Sequence, residues 1–328
     1  MLSRLTSSPA GGAGRLRAMN DRPVAFVTGA SRGIGKACSV HLARAGFDVA
    51  VSARTVQDGE QREHSSTVQR SDTSPLPGSL SATAAMVTEA GGDALIVAAD
   101  LLDFDSLEAA AATTLEHWGR VDVLVNNGRY IGPGHMDRLL DTPIELLDYH
   151  LKANCLAPLV LTKAFLPQMI ERGGGTVVNI TSASGFADPT EAAGDGGWGM
   201  GYGISKGAFH RVAGFLAVEH GKEGINTFNV QPGYISTERI AQDMAQFGFE
   251  DTGQPADVIG AVVAWLATDP EASELNGTNV EAQFFCHERG LLPGWGGPEP
   301  NTAAIRYDLS GAILAEKEAQ LLAQASQE

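Results

Sequence analysis

Val24-Ala25-Phe26-Val27-Thr28-Gly29-Ala30-Ser31-Arg32-Gly33-Ile34-Gly35 decides how this chain folds. Its first four residues are a short continuous apolar run, the pattern of a parallel strand buried on both faces. Beyond them Ile34, Cys38 and Leu42 fall at helical spacing and Gly46 supplies a stop. Gly29, Gly33 and Gly35 therefore lie on a strand–turn–helix corner. At such a corner backbone N–H groups and the helix dipole receive a pyrophosphate, and missing side chains let it come close. Glycines placed between a strand and a helix carry far more information than the same glycines alone.

Outward from this corner the pattern repeats. A strand over 48–52 ends at Ala53-Arg54, with no carboxylate where a dinucleotide fold holds the adenosine ribose 2′-hydroxyl. Arg54 and Arg32 suit a 2′-phosphate instead, which points to NADP(H) over NAD(H); the plain alternative is two solvated surface arginines. Residues 56–80 are polar and close with Pro75-Leu76-Pro77-Gly78, so a long and mobile loop is expected in the second crossover. Strands follow over 94–99, closing at Asp100-Leu101, and over 121–125, closing at Asn126-Asn127-Gly128-Arg129, with a helix over 105–118 between them. Further strands over 176–180, 226–230 and 278–281 deliver Thr181-Ser182-Ala183-Ser184 and Pro232-Gly233, and a helix occupies 255–268. The alternation predicts an α/β fold, a doubly wound parallel sheet of Rossmann type, as one domain over 21–290 with its ligand at the carboxyl ends of the strands.

Thr142-Pro143-Ile144-Glu145 reads as a capping box with proline at the first helical position. The helix it opens contains Pro158, which has no N–H for the carbonyl of Asn154. That leaves either an ordinary kink or a free acceptor able to hold a water. Tyr202-Gly203-Ile204-Ser205-Lys206 places a phenol and an ammonium on one helix face. A cation favours the ionised phenol, so the pair suits proton transfer near neutrality.

Composition bounds the rest. At 328 residues and 43% hydrophobic content the chain is globular, and no apolar run is long enough to span a bilayer. A net charge of −16 argues against nucleic acid or an anionic membrane as partner. Cys38, Cys155 and Cys286 are too few and scattered for a disulfide framework or a zinc site, and the histidines show no metal-ligand spacing, so no metal is expected. Residues 1–20 hold arginines and no acid, the composition of a transit-like sequence or of sequence upstream of Met19; a disordered extension is expected. Residues 291–328 read as a tail, Pro/Gly-rich at first, ending in an Ala/Glu/Gln-rich helix.

With these pieces in order, the chain resembles the short-chain dehydrogenases/reductases over residues 23–283. The glycine turn fits the family's Thr-Gly-x-x-x-Gly-x-Gly, Asp100 its adenine-contacting acid, and Asn126-Asn127 the start of its Asn-Asn-Ala-Gly. Asn154, Ser182, Tyr202 and Lys206 fall where its catalytic tetrad falls. The resemblance implies that Tyr202 is the general acid in reduction and the base in oxidation. Lys206 would lower its pKa and hold the nicotinamide ribose, Ser182 would polarise the carbonyl, and the Asn154 carbonyl would anchor a relay water. Ser184 competes for the serine role, with Ser182 preferred by its offset from the strand. The cofactor would be held by Gly29, Ser31, Arg32, Gly33, Ile34, Gly35, Arg54, Asp100, Leu101, Asn127, Gly128, Tyr202, Lys206, Pro232, Gly233, Ile235 and Thr237. Oligomerisation as a homodimer or homotetramer also follows from the resemblance, and the three scattered cysteines suit a reducing compartment, so a cytoplasmic location is expected.

Three departures stand out. Arg129 replaces a glycine close to the nicotinamide, either reaching to solvent or meeting an anionic substrate group. The Ser182–Tyr202 interval is enlarged and carries Phe186, Trp198 and Met200. Glu281-Ala282-Gln283-Phe284 stands where the family often has Asp-Gly-Gly. The stretch from Pro77-Gly78-Ser79-Leu80 to Glu89-Ala90-Gly91-Gly92 is similar to the hydroxysteroid-dehydrogenase-like subgroup, a short likeness that assigns no substrate. The reading is an NADP(H)-dependent oxidoreductase interconverting a secondary alcohol and a ketone on an apolar small molecule, the aromatic residues above with Met244, Phe247 and Phe249 rimming the site. The alternative is a catalytically silent dinucleotide-binding regulatory or scaffold protein.

Overall fold

Successive residues of strand β1 (Val24–Thr28) face opposite sides of the sheet, and both sides are apolar. Ala25 and Val27 enter one core, Val24 and Phe26 the other, which is why the run is unbroken. The computed structural model describes residues 22–240 and 253–298. The expected extension 1–20, the rim candidates Met244, Phe247 and Phe249, and the terminal helix lie outside the described residues.

The chain runs β1, α1 (Gly33–Arg44), β2 (Asp48–Ala53), α2 (Leu80–Glu89), β3 (Ala94–Ala98), α3 (Phe104–Trp118), β4 (Val123–Asn126), α4 (Ile144–Leu151) and α5 (Ala157–Glu171). It continues with β5 (Gly175–Ile180), α6 (Met200–His210), α7 (Val212–His220) and β6 (Ile225–Gln231). A small ribbon pairs β7 (Ile235–Ser236) with β8 (Gln254–Pro255), followed by α8 (Asp257–Thr268), β9 (Asn279–Glu281) and α9 (Ala282–Glu288). The main sheet is seven parallel strands in the order β3-β2-β1-β4-β5-β6-β9. Helices cover both faces: α1 packs on α8, and α3 on α5. Phe165 of α5 rests on Phe26 with ring centroids 5.1 Å apart, both fully buried. Burying each ring is worth about 1.5–3 kcal/mol.

Strand order reverses between β1 and β4, which opens a crevice at their carboxyl ends. Its lip is locked by side chains. The Thr28 hydroxyl oxygen accepts from the N–H groups of Asn127 and Gly128, both at 2.9 Å, and Asn127 Nδ2 donates to the Thr28 carbonyl at 2.9 Å. Gly29 and Gly33 have φ of 65° and 54°, the left-handed region that only glycine enters cheaply. Gly35 is required for a different reason: a β-carbon there would stand 2.3 Å from the Gly29 carbonyl oxygen. Gly35→Ala is therefore expected to destabilise the protein by about 2 kcal/mol or more, read as a lower denaturation midpoint, because a backbone contact cannot yield as a side chain would.

Two local expectations change. Thr142 does not cap α4: its hydroxyl donates to the Arg138 carbonyl at 2.8 Å, closing a short 3₁₀ turn, and Pro143 occupies the N-cap position. The helix it precedes passes through a π turn at Lys152–Leu156 before α5, so Pro158 follows a widened turn rather than a simple kink. Joined in this way, Ile144–Glu171 becomes a 28-residue run long and apolar enough to cross a membrane by length and composition, which the sequence reading missed. Half of its most apolar window is buried, with Leu161, Phe165 and Met169 in the core.

The inserted segment is a structured strap. It is held internally by bonds such as Val56 N–H to Glu60 and His64 N–H to the Asp72 carbonyl. At its end, Arg32 donates to the carbonyls of Pro77 at 2.9 Å and Gly78 at 2.8 Å. At its middle, Met136 N–H donates to the Ser66 carbonyl, Val68 N–H to Asp137, and Arg239 to the His64 carbonyl. The strap thus ties the β1 turn to the loop after β4 and to the segment after β6. The altered carboxyl end also finds its packing: β9 completes the sheet, and Gln283 donates to the Pro232 carbonyl at 3.0 Å. Residues 291–298 join the body too, with Trp295 Nε1 donating to Gln254 at 2.8 Å.

Candidate active site

The candidate tetrad residues come from three elements, and each is seated by its own contacts. Asn154, 1% exposed in the π turn, accepts from Tyr130 N–H at 2.6 Å and donates to the Ser205 hydroxyl at 2.9 Å. Ser205 precedes Lys206 on α6, and Lys206 Nζ donates to the carbonyl of Ile180 at 2.8 Å. Two residues on, Ser182 caps a 3₁₀ turn. Its oxygen accepts from Ser184 N–H at 3.3 Å and from the Ser184 hydroxyl at 3.0 Å. Both of those contacts use Ser182 as acceptor, so its own O–H is not spent on them. Ser184 is buried and positions its neighbour.

Tyr202 stands on the same face of α6 as Lys206. Its hydroxyl makes no hydrogen bond among the described residues. Its ring is gripped instead. His135 meets it edge-on with centroids 4.6 Å apart, and the Arg129 guanidinium carbon lies 5.7 Å from the ring centre. Lys206 is 3% exposed; burial first and then the charge of Arg129 lower its pKa to about 7. His150, fully enclosed, is lowered to about 4 by burial and by Arg129. His135 is held well below the usual imidazole range by burial, then by Arg129, Arg239, His150 and Lys206. Both histidines are therefore neutral at physiological pH. Sequence spacing pointed to neither, because His135 lies in a loop and His150 on α4, 15 positions apart, and only the fold stacks their rings at 6.2 Å.

The crevice between β1 and β4 presents glycine backbone and a helix N-terminus, the groups that a dinucleotide's pyrophosphate needs. A β-carbon would stand 2.7 Å from Asn127 at Gly29, 2.3 Å from the Gly29 carbonyl oxygen at Gly35 and 3.0 Å from Leu101 at Gly128, so the lip is close-packed backbone. Helix α1 has no side-chain cap and no acid in its first turn, so the N–H groups of Ile34 and Gly35 stand at its positive end. Gly33 N–H donates to Glu238 at 2.9 Å, and Glu238 also pairs with Lys36. Burial would raise the Glu238 pKa, but these partners hold it below the ordinary value. Leu101 lies against Gly128, Thr237 against Gly33, and Ser31 is buried in the turn. Asp100 lies 4.0 Å from Arg54 and accepts from Leu102 N–H at 3.0 Å. Arg32 is close enough to Arg54 to be influenced by it, although its Nε and Nη2 are spent on the strap. Pro232 and Gly233 are fixed by Gln283, and the Ile235 side chain is 3% exposed, so that residue offers backbone rather than side chain to the crevice.

Phe186, Trp198 and Met200 gather around a groove of about 630 Å³ that also has Ser184, Gly203 and Ile204 in its lining. Tyr202 is not among its walls, so these residues border the adjoining face of α6 and not the phenol itself. The loop carrying them is pinned by Arg138 to Asp195 at 2.6 Å and by Gly199 N–H to the His135 carbonyl at 2.8 Å.

Comparison with known proteins agrees with this arrangement. A family model described as short chain dehydrogenase matches residues 23–76 and 73–246. A 3-oxoacyl-[acyl-carrier-protein] reductase of Synechocystis sp. is 31% identical over 260 residues, covering 77% of this chain and 92% of that protein. A cyclohexanol dehydrogenase of Rhodococcus sp. is 30% identical over 256 residues, covering 75% and 89%. Among solved structures, a short chain dehydrogenase from Mycobacterium paratuberculosis bound to NAD superposes with a TM-score of 0.63 at 25% identity, covering 79% of this chain and 95% of that one.

Proposed function

The chain belongs to the short-chain dehydrogenase family and is a nicotinamide-dinucleotide-dependent oxidoreductase, and from that premise we propose that it interconverts a secondary alcohol and a ketone on an apolar small molecule, with NADP(H) preferred over NAD(H). The observation that carries the reading is Tyr202. Its hydroxyl makes no bond to the described protein, and the residue stands one helical turn from Lys206 on α6, the helix that Asn154 reaches through Ser205. When bound, the nicotinamide supplies or accepts the hydride. In reduction Tyr202 gives its proton to the substrate oxygen, and Ser182 donates a hydrogen bond to that same oxygen and fixes its position. Asn154 holds the π turn to α6 through Ser205 and so sets the height of Lys206 beneath the site. In oxidation the same groups run in reverse.

The crevice glycines and the first turn of α1 would hold the pyrophosphate, Asp100 and Leu101 the adenine side, and Pro232, Gly233 and Thr237 the nicotinamide side. Arg54 and Arg32 would receive the 2′-phosphate. Arg54→Ala is expected to cut the NADPH-over-NADH preference in kcat/KM by about 10- to 100-fold, the worth of a charge-assisted contact; an unchanged ratio would count against it. Following NADPH absorbance across a ketone panel tests the reaction. Steady oxidation of NADPH supports it, whereas cofactor binding with no turnover favours a silent dinucleotide-binding scaffold. Family members act on small molecules and usually oligomerise. Phe215 and Val218 of α7, 60% and 86% exposed, support a homodimer or homotetramer, and three buried free cysteines suit a reducing cytoplasmic setting.

A further inference from the structure

We infer that the substrate is an oxo acid or the corresponding hydroxy acid, and that Arg129 binds its carboxylate beside the reacting carbon. The inference rests on Tyr202 as the proton donor and adds the group that orients the substrate against it.

Arg129 follows directly on the crevice lip Asn126-Asn127-Gly128 and leans over the Tyr202 ring at 5.7 Å. A guanidinium offers five N–H donors. Here one nitrogen is used, Nη1 donating to the Tyr130 carbonyl at 3.1 Å, and no carboxylate of the described residues pairs with it. Three arginines nearby are engaged by protein acceptors: Arg32 by strap carbonyls, Arg62 by Glu60 and Arg138 by Asp195. The remaining donors of Arg129 are open rather than enclosed, so a ligand entering beside Tyr202 can reach them.

The surroundings make an acid the fitting acceptor. Arg129 acts electrostatically on Lys206, His135 and His150, and Arg239 acts on His135 as well. These neighbours are cations or neutral bases, and the acid of the same loop, Asp137, is taken up by the N–H groups of Gly134 and Val68. In a chain of net charge −16 this local excess of positive charge is set against the overall field. The enclosed Nδ1 of His135 also lacks a protein partner, and its ring edge touches the same phenol. A carboxylate accepts two parallel N–H bonds from a guanidinium. Because the guanidinium and the phenol ring are neighbours, a substrate with its carboxylate one or two carbons from the carbonyl suits the site. A 2-oxo or 3-oxo acid meets that spacing. The chemistry is otherwise unaltered: one hydride and one proton add across the carbonyl, and the carboxylate leaves unchanged.

The test uses matched pairs on the full-length enzyme: 2-oxohexanoate and its methyl ester with NADPH, and 3-hydroxyhexanoate and its methyl ester with NADP⁺. Wild type is expected to favour the acid of at least one pair by about 10- to 100-fold in kcat/KM. Arg129→Met should remove that preference by lowering kcat/KM for the acid alone, and Arg129→Lys should restore part of it, a point charge replacing a fork. Equal turnover of acid and ester by wild type would overturn the inference, as would an equal fall for both in Arg129→Met, or a loss of NADPH affinity matching the loss of acid turnover. Failure of the underlying reading has a separate signature, turnover that survives Tyr202→Phe. If neither pair reacts, calorimetry on NADP⁺-saturated protein decides. Hexanoate bound by wild type at least 10-fold more tightly than hexanamide, with the difference lost in Arg129→Met, sustains the inference, and equal affinities overturn it.

Discussion

Tyr202→Phe is expected to lower kcat by about 10²–10⁴-fold, the usual contribution of a positioned proton donor, while NADPH binding stays within about twofold of wild type. The expectation is sharp because the substitution removes so little else. The hydroxyl bonds to nothing among the described residues, so its loss leaves no orphaned partner. The ring contacts that seat the residue, His135 at 4.6 Å and Arg129 at 5.7 Å, are all available to phenylalanine. The thermal midpoint should therefore hardly move. Steady-state kinetics beside a fluorescence titration with NADPH separates the two quantities. Turnover at the wild-type rate would remove Tyr202 from the mechanism, and a collapse of cofactor binding would make its role structural.

Lys206→Met should uncouple stability from activity in the opposite sense. Burial and Arg129 hold the folded-state pKa of Lys206 at about 7, against 10.5 for an exposed lysine. Between those values the unfolded chain carries a proton that the folded protein does not, so stability rises with pH across that window. Below about pH 7 both states are protonated and the folded protein bears the whole penalty of an enclosed ammonium, on the order of a few kcal/mol. Methionine keeps the volume and carries no charge. The cofactor-free variant is thus expected to melt about 5 °C or more above wild type at pH 6, with the gap closing as pH approaches 10.5. Activity should fall sharply at every pH. A variant less stable than wild type at pH 6, or a gap that widens with pH, would show that the bond from Nζ to the Ile180 carbonyl outweighs the desolvation cost.

The contrast between these two neighbours on α6 describes the site. Tyr202 costs the fold little, whereas Lys206 is a charge that the interior tolerates poorly, and the nearby cation Arg129 makes it worse. Stored cost of this kind is usual where binding and chemistry are to follow. A ligand that brings negative charge would relieve it.

Much of this was legible in the residues because it depends on short-range pattern. The apolar run Val24–Val27, the glycine turn, the spacing of Tyr202 and Lys206 and the alternation of strand and helix all act within a dozen positions, where backbone geometry leaves few choices. The capping box at Thr142 shows the limit of such reading: the residues were right, but a 3₁₀ turn just upstream claimed the hydroxyl. The aromatic groove shows another limit. Phe186, Trp198 and Met200 do line one cavity, yet on the face of α6 next to the phenol, a rotation that composition does not encode.

The sequence by itself determined the parallel doubly wound sheet, the crevice at the β1 turn and the family to which they point, since each follows from hydrophobic periodicity and from glycines that only one backbone path can use. The tertiary structure alone decided what surrounds the phenol. Arg129 and His135 meet its ring, and His150 stacks on His135, from segments far apart in the chain. Their charges and burial become interactions only once the sheet has brought those segments within a few ångströms, because electrostatic and packing forces depend on distance in space and not along the sequence.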